Sequence, residues 1–286
     1  MEALELFRAG RLDEAIETCA KAVQEHPGQP NDRDLLSQLL CFTGQYERAD
    51  KHLEVLATQF ADREPVIALI RHLIRAATAR EQFYEEGRLP EFFTEPPDYV
   101  RRHLEASISI RRGEPREAAR LLSQAEEARP AMSGRCNGTP FRDLRDADDL
   151  TAPLLETFTT TGKYYWVPFE QIRRIMLHPT ESPLDILWRR CQIQIRGGTN
   201  GIMYLPQLYV GSFRSADESI RVGRSTEWLG SDGEPVRGVG HRILAVDEEA
   251  RPLVSIDALE FDSQGGPDGG AEQDRAENEV RISLGG

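Results

Sequence analysis

The chain has 286 residues, 29% of them charged and 39% hydrophobic, and 35 basic against 48 acidic side chains give a formal charge of −13. That composition excludes fibrous and disulfide-stapled classes, and the length suggests two domains at roughly 100–200 residues each. No apolar run approaches the ~20 residues that span a bilayer. The start, Met1-Glu2-Ala3-Leu4-Glu5, lacks a signal-peptide pattern, so a soluble, cytoplasmic protein is expected. Basic against acidic counts are 18 to 24 in residues 1–130, 15 to 19 in 131–262 and 2 to 5 in 263–286. Each segment is acidic, and no basic footprint for nucleic acid or anionic lipid stands out. Cys19, Cys41, Cys136 and Cys191 are too widely spaced for a CxxC motif and read as reduced structural thiols.

Residues 1–130 read as helix pairs. Gly10, Ala15, Ala22 and Pro27 lie at offsets that Gly113, Ala118, Ala125 and Pro130 repeat 103 residues later, close to three periods of about 34. Gly44 and Ala49 fall one period after the first set. The spacing is that of tetratricopeptide helix pairs: glycine turns the chain between helices, alanines allow close packing, and proline stops the second helix. Leu35, Leu36, Leu39 and Leu40 form one expected buried stripe, and Val66, Ile70, Leu73 and Ala77 another. The third repeat lacks its glycine, so the array is interrupted there, and the chain begins partway through what would be the first helix. In a helical solenoid first helices line the concave side. That register puts Asn31, Asp34, Gln38 and Phe42, then His103, Ser107 and Arg111, on a face suited to a partner helix or extended peptide. The same residues also suit an ordinary solvated face.

After Pro130 short β-patterned runs alternate with Gly, Pro and Asn, which fits a mixed α+β domain rich in antiparallel strands over 131–262. Cys191 to Ile195, a Gly-rich turn, and Ile202 to Leu205 form the clearest hairpin. Ser215 to Glu218 reads as a capping box opening a short helix through Val222. Ile243 to Val246 and Leu253 to Ile256 suggest closing strands, and Gly238 to Arg242 a turn between strands. Gly162 to Ile172 reads as a strand turning at Pro168, its aromatics in the core beside Trp188 or else exposed for a partner. Residues 263–286, with six glycines and five acids, are expected to be disordered, with Val280, Ile282 and Leu284 a frayed end or a short docking strand.

Catalytic motifs are not found: there is no GxSxG, P-loop or HExxH. Asp143, Asp146, Asp148 and Asp149 could ligate a divalent cation, but Thr151 to Phe158 reads as a helix whose N-terminal dipole would favour those acids. The six histidines are never closer than 20 residues and propose no site. A non-enzyme without cofactor or metal is therefore expected. The rival reading is a metal-dependent hydrolase using Asp143 to Asp149 with His178 or His241. A third is a general peptide-binding co-chaperone.

Several pieces taken in order resemble one family. They are Gly162 to Ile172, Leu184-Asp185-Ile186-Leu187-Trp188, Leu205-Pro206-Gln207-Leu208-Tyr209 ahead of Gly211-Ser212, Glu227-Trp228 and Gly240-His241-Arg242, with Ala9 to Ala15 and Gln38 to Cys41 in the helical half. The chain resembles, over about residues 1–262, the ImpE (TagJ, SciE) accessory proteins of bacterial type VI secretion. Leu184-Asp185, Val210 and Glu227 depart from the family's usual Arg-Asp, proline and aspartate. The resemblance implies a non-catalytic cytoplasmic adaptor that binds the small sheath subunit TssB through a helical segment of that subunit and helps couple contracted sheath to the ClpV ATPase.

Overall fold

The computed structural model describes residues 2–198 and 200–262; the expectations for 263–286 lie outside them. Seven helices come first: α1 (Glu2–Arg8), α2 (Leu12–Glu25), α3 (Pro30–Cys41), α4 (Tyr46–Gln59), α5 (Glu64–Glu86), α6 (Asp98–Arg111) and α7 (Pro115–Ala128). The repeat glycines Gly10, Gly44 and Gly113 turn between paired helices with φ of 87°, 67° and 71°, a backbone that a Cβ disfavours. One period after Gly44 stands Thr78, inside α5, and its hydroxyl bonds back to the Ile74 carbonyl at 3.0 Å. The missing turn thus fuses what would be two helices into one of 23 residues, which ends at Gly87 in the left-handed conformation. In α5 the buried stripe is Ile67, Ile70, Leu73 and Ala77, whereas Val66 is 61% exposed. The stripe therefore starts one residue later than the sequence suggests.

The remainder contains β1 (Gly134–Cys136), β2 (Thr139–Phe141), β3 (Leu144–Asp146), β4 (Leu154–Thr159), β5 (Tyr164–Pro168), β6 (Ile172–Leu177), α8 (Pro183–Leu187), β7 (Trp188–Ile195), β8 (Asn200–Pro206), α9 (Glu218–Arg221), β9 (Thr226–Leu229), β10 (Arg237–Gly240), β11 (Ile243–Val246), β12 (Glu249–Pro252) and β13 (Ala258–Phe261). An eight-stranded sheet runs β2-β1-β13-β6-β7-β8-β4-β5, beside sheets β12-β11-β3 and β10-β9. Its strands pair antiparallel throughout. A helical N-terminal region followed by a mixed α+β part is thus the observed architecture. The linker between α5 and α6 shields the β5 edge: Glu91 N donates to Tyr164 O at 2.9 Å and Trp166 N to Glu91 O at 3.1 Å.

The expected hairpin forms as β7 and β8, and Gly162 to Ile172 is strand β5 followed by a 3-10 turn at 169–171 with Trp166 fully buried. Four local readings change. The segment expected to be helical from Thr151 is a 3-10 turn and then β4, whose first five residues are all buried; cores on both faces of the sheet remove the alternation that marks a strand. Gly238 and Gly240 lie in strand β10. Leu253 to Ser255 forms a 3-10 turn, and the closing strand is β13. The N-cap of α9 is Asp217, which accepts from Ser219 N at 2.8 Å, while the capping box belongs to Ser182 and Asp185 at α8.

Helix gives way to strand between Ala128 and Gly134, and one core crosses this change. Leu36, Leu40, Phe42, Leu73 and Phe83 of the helices share a cluster with Leu154, Phe158, Trp166, Trp188 and Leu208. A second core fills the other face of the sheet around Leu155, Val167, Phe169, Ile175, Ile193 and Leu205. All four cysteines are buried free thiols. Among the described residues no helix is long and apolar enough to cross a membrane.

Candidate functional site

Of the residues expected to line a groove, Gln38, Phe42 and His103 meet the α+β part. Asn31 is exposed and accepts from Arg63 Nη2 at 3.0 Å. Gln38 donates to Asp34 at 3.3 Å and accepts from Leu184 N of α8 at 3.4 Å, and burial pushes the Asp34 carboxyl up. Phe42, expected as an exposed aromatic anchor, is 1% exposed and packs edge-on against Phe7 at 5.0 Å. In α6, His103 and Ser107 are buried as well. The His103 ring pairs through Nδ1 with Leu150 O at 2.8 Å, Ser107 donates to Leu104 O at 2.6 Å, and Arg111 donates to Phe83 O at 3.0 Å. No hydrogen bond joins the two groups among the described residues. The physical reason is common to both: the chain's own second part occupies this face, and α8 packs on α3 as the 149–151 turn packs on α6. What remains open is a cleft of about 40 Å³ lined by Phe42, Tyr46, Arg80, Trp188, Tyr209 and Phe213, room for a water or two.

Beneath the cleft lies a charge network. Glu156 of β4 receives Arg80 of α5 in a two-pronged pair at 2.9 and 2.6 Å, Tyr84 at 3.0 Å, Tyr164 at 2.5 Å, and Arg242. Arg242 also donates to Asp146 at 2.5 Å, which accepts from Tyr209 at 2.7 Å and Thr151 at 3.1 Å. Arg237 donates to Asp148 at 2.8 Å. Glu156 and Asp146 side chains are 0% exposed and Arg242 1%. Burial alone would raise Glu156, but the Arg80 and Arg242 guanidiniums overcome it and hold this carboxyl well below its usual range. Burial pushes Asp146 up to about 6 against the pull of Arg242. Removing one partner of such a buried pair typically costs about 3–5 kcal/mol, because the other charge stays buried alone. Three arginines thus face three carboxylates, and of these pairs Arg80–Glu156 crosses the seam between α5 and the sheet, while Arg242–Asp146 and Arg237–Asp148 tie the α+β part to itself.

Exposed clamps continue the seam. Arg221 makes a two-pronged pair with Asp13 at 3.0 and 2.7 Å, Arg224 reaches Arg8 O, and Arg214 reaches Glu85.

The candidate metal acids are each tied to an arginine: Asp143 to Arg129, Asp146 to Arg242, Asp148 to Arg237 and Asp149 to Arg145. His178 bonds through its backbone to Arg190 O, and His241 accepts from Val254 N at 3.1 Å. No group of three or more His, Cys, Asp or Glu among the described residues could hold a metal. The network itself escapes the sequence because Arg80, Glu156 and Arg242 are 76 and 86 residues apart. One signal was legible: Glu156 is a single acid inside Leu154-Leu155-Glu156-Thr157-Phe158, and a charge in so apolar a strand needs a partner.

The class these features define is an α+β protein whose N-terminal helical region closes over an antiparallel sheet. Comparisons make it specific. The family described as ImpE protein matches residues 138–260, and a tetratricopeptide repeat family matches 6–73. The chain is 30% identical over 262 residues, 92% of each chain, to the type VI secretion system accessory component TagJ of Pseudomonas aeruginosa. The X-ray crystal structure of a Vibrio parahaemolyticus protein superposes with a TM-score of 0.85 at 28% identity, over 92% of this chain and 98% of that one. The chain belongs to the ImpE/TagJ family.

Proposed function

We propose that this protein is a type VI secretion accessory that binds the small sheath subunit TssB and helps couple contracted sheath to the ClpV ATPase. The observation that carries the reading is the likeness to TagJ along 92% of both chains, spanning the helical and α+β parts alike. Two parts joined by a shared core and a buried ion pair suit an adaptor, since preorganised surfaces lose less entropy on binding. Because the inner face of the helices is packed by the chain itself, in this reading the sheath subunit docks on an outer surface, with the network beneath keeping that surface in shape.

The test uses the full chain. Co-expressed with TssB and purified through a tag on this protein, the pair is expected to co-elute in size exclusion, and ClpV is then added to the pair. Failure of TssB to co-elute at micromolar concentrations would reject the sheath assignment.

A further inference from the structure

Trp166 and Trp188 are buried, but Trp228, in the Glu227-Trp228 piece, is 44% exposed, next to Leu229 at 54%. Both sit on β9, which among the described residues pairs with β10 alone. The hydrogen-bond parity of this ribbon can be followed. Asp149 N donates to Val236 O at 2.9 Å, and the Asp149 and Asp148 carboxylates accept from Val236 N at 2.7 Å and Gly238 N at 3.0 Å. Residues 236 and 238 therefore bond away from β9, so 237 and 239 bond toward it, opposite Leu229 and Glu227. Consistently, His241 N donates to Ser225 O at 3.1 Å. Thr226 and Trp228 are left with their backbone N–H and C=O turned to the open side.

The Trp228 side chain lies opposite Gly238 with its ring centroid 5.9 Å from Tyr209. A Cβ at residue 238 would stand 2.2 Å from the Tyr209 ring. The indole is thus seated on a rigid shelf, as a preorganised anchor is. Around it, Glu227 and Asp232 are exposed and have no ion pair among the described residues, whereas Arg237 is paired with Asp148 and Arg221 with Asp13, and Arg224 bonds to Arg8 O.

We propose that β9 is a docking edge that takes an extended segment of a partner protein by strand addition, the segment alternating apolar and basic residues. The edge supplies main-chain hydrogen bonds, Trp228 supplies apolar contact on one face, and Glu227, on the opposite face with Leu229, selects a cationic partner. A second copy of the chain fits poorly, since the strand carries the unpaired Glu227 and the whole chain a charge of −13. This inference stands apart from the sheath assignment, because it rests on β9 alone.

The experiment titrates the full-length protein with capped hexapeptides of alternating Lys and Val or alternating Glu and Val, followed by calorimetry. The cationic peptide is expected to bind roughly tenfold tighter than the anionic one, a difference that shrinks with salt. Trp228→Pro removes an N–H that the β9–β10 ladder does not use and should abolish binding while the melting temperature holds. Should that variant melt early, Glu227→Lys serves instead, and it should erase the preference for the cationic peptide. Equal affinity for both peptides, or binding untouched by these variants, would overturn the proposal. So would a dimer in sedimentation that Trp228→Pro dissolves, because the edge would then belong to a second copy.

Discussion

At the scale of single residues, the buried histidines set a pH dependence. Burial pushes His103 and His241 down to about 4, the latter with help from Arg242 and Arg189. His103 Nε2 is buried without a partner, so a proton there would add an unmet donor, and a proton on His241 Nε2 would displace the bond that this nitrogen accepts from Val254 N. The unfolded chain takes up those two protons near the ordinary histidine value of about 6.5. Stability is therefore lost as pH falls from 6.5 toward 4. Asp146 acts in the opposite sense: raised to about 6, it binds its proton earlier in the folded chain and favours the fold as pH falls. Two histidines against one aspartate leave a net loss of roughly one proton, about 1.4 kcal/mol per pH unit near pH 5–6. Urea unfolding at pH 7 and pH 5 should show this decline, and His103→Gln should nearly flatten it. An unchanged slope in the variant would remove the buried imidazole as the cause. Sequence spacing could show that the histidines form no metal motif. It could not show that two of them are held neutral, because that depends on packing by Leu150 and Val254, respectively 47 and 13 residues away.

At the scale of elements, the same residue type does different work by position. Gly113 has φ of 71° and open space around it, whereas at Gly240, with φ of 100°, a Cβ would stand 2.1 Å from Ser225 O. Gly113→Ala should cost about 1 kcal/mol for its left-handed backbone alone. Gly240→Ala adds a clash with backbone that cannot swing aside and should cost roughly 3 kcal/mol or more. Comparison of urea midpoints checks the ordering, and equal losses would contradict it. The repeat glycines and the β7–β8 hairpin were legible because their signals are local: a turn residue at a fixed offset, and alternation along strands with one wet face. β4 was not, because a strand buried on both faces has the apolar texture of a buried helix. The α9 cap was misplaced for a related reason. Ser215 does accept from Asp217 N, at 3.1 Å, but Asp217 is the residue that caps the helix. The groove face was misread at long range: its register on α3 and α6 was followed, but the segment that covers it comes from α8 and the 149–151 turn.

At the scale of the whole molecule, the change from helix to strand near residue 130 does not divide the stabilising contacts. Arg80 and Glu156 lie on opposite sides of it, as do Phe83 and Trp166, whose rings meet edge-on at 4.7 Å. Losing about 3–5 kcal/mol from one broken pair is a large share of a typical ~5–15 kcal/mol stability. The full chain should therefore melt in one cooperative transition followed by circular dichroism. Residues 1–130 and 131–286 expressed alone should give no sharp transition. Two independent transitions in the full chain, or a cooperative melt of either piece, would mean that the seam contributes little.

The clamps along that seam fix the size of the array. Open solenoids grow by inserting repeats, and each insertion lengthens a spring that can flex. Here Arg221 grips Asp13 at one end and Arg214 grips Glu85 further along, with the α+β part as the strut between. An additional helix pair between those grips would move one of them out of reach. The number of turns between Asp13 and Glu85 is consequently set by the strut's span, and insertions that lengthen the molecule without breaking it belong outside that interval.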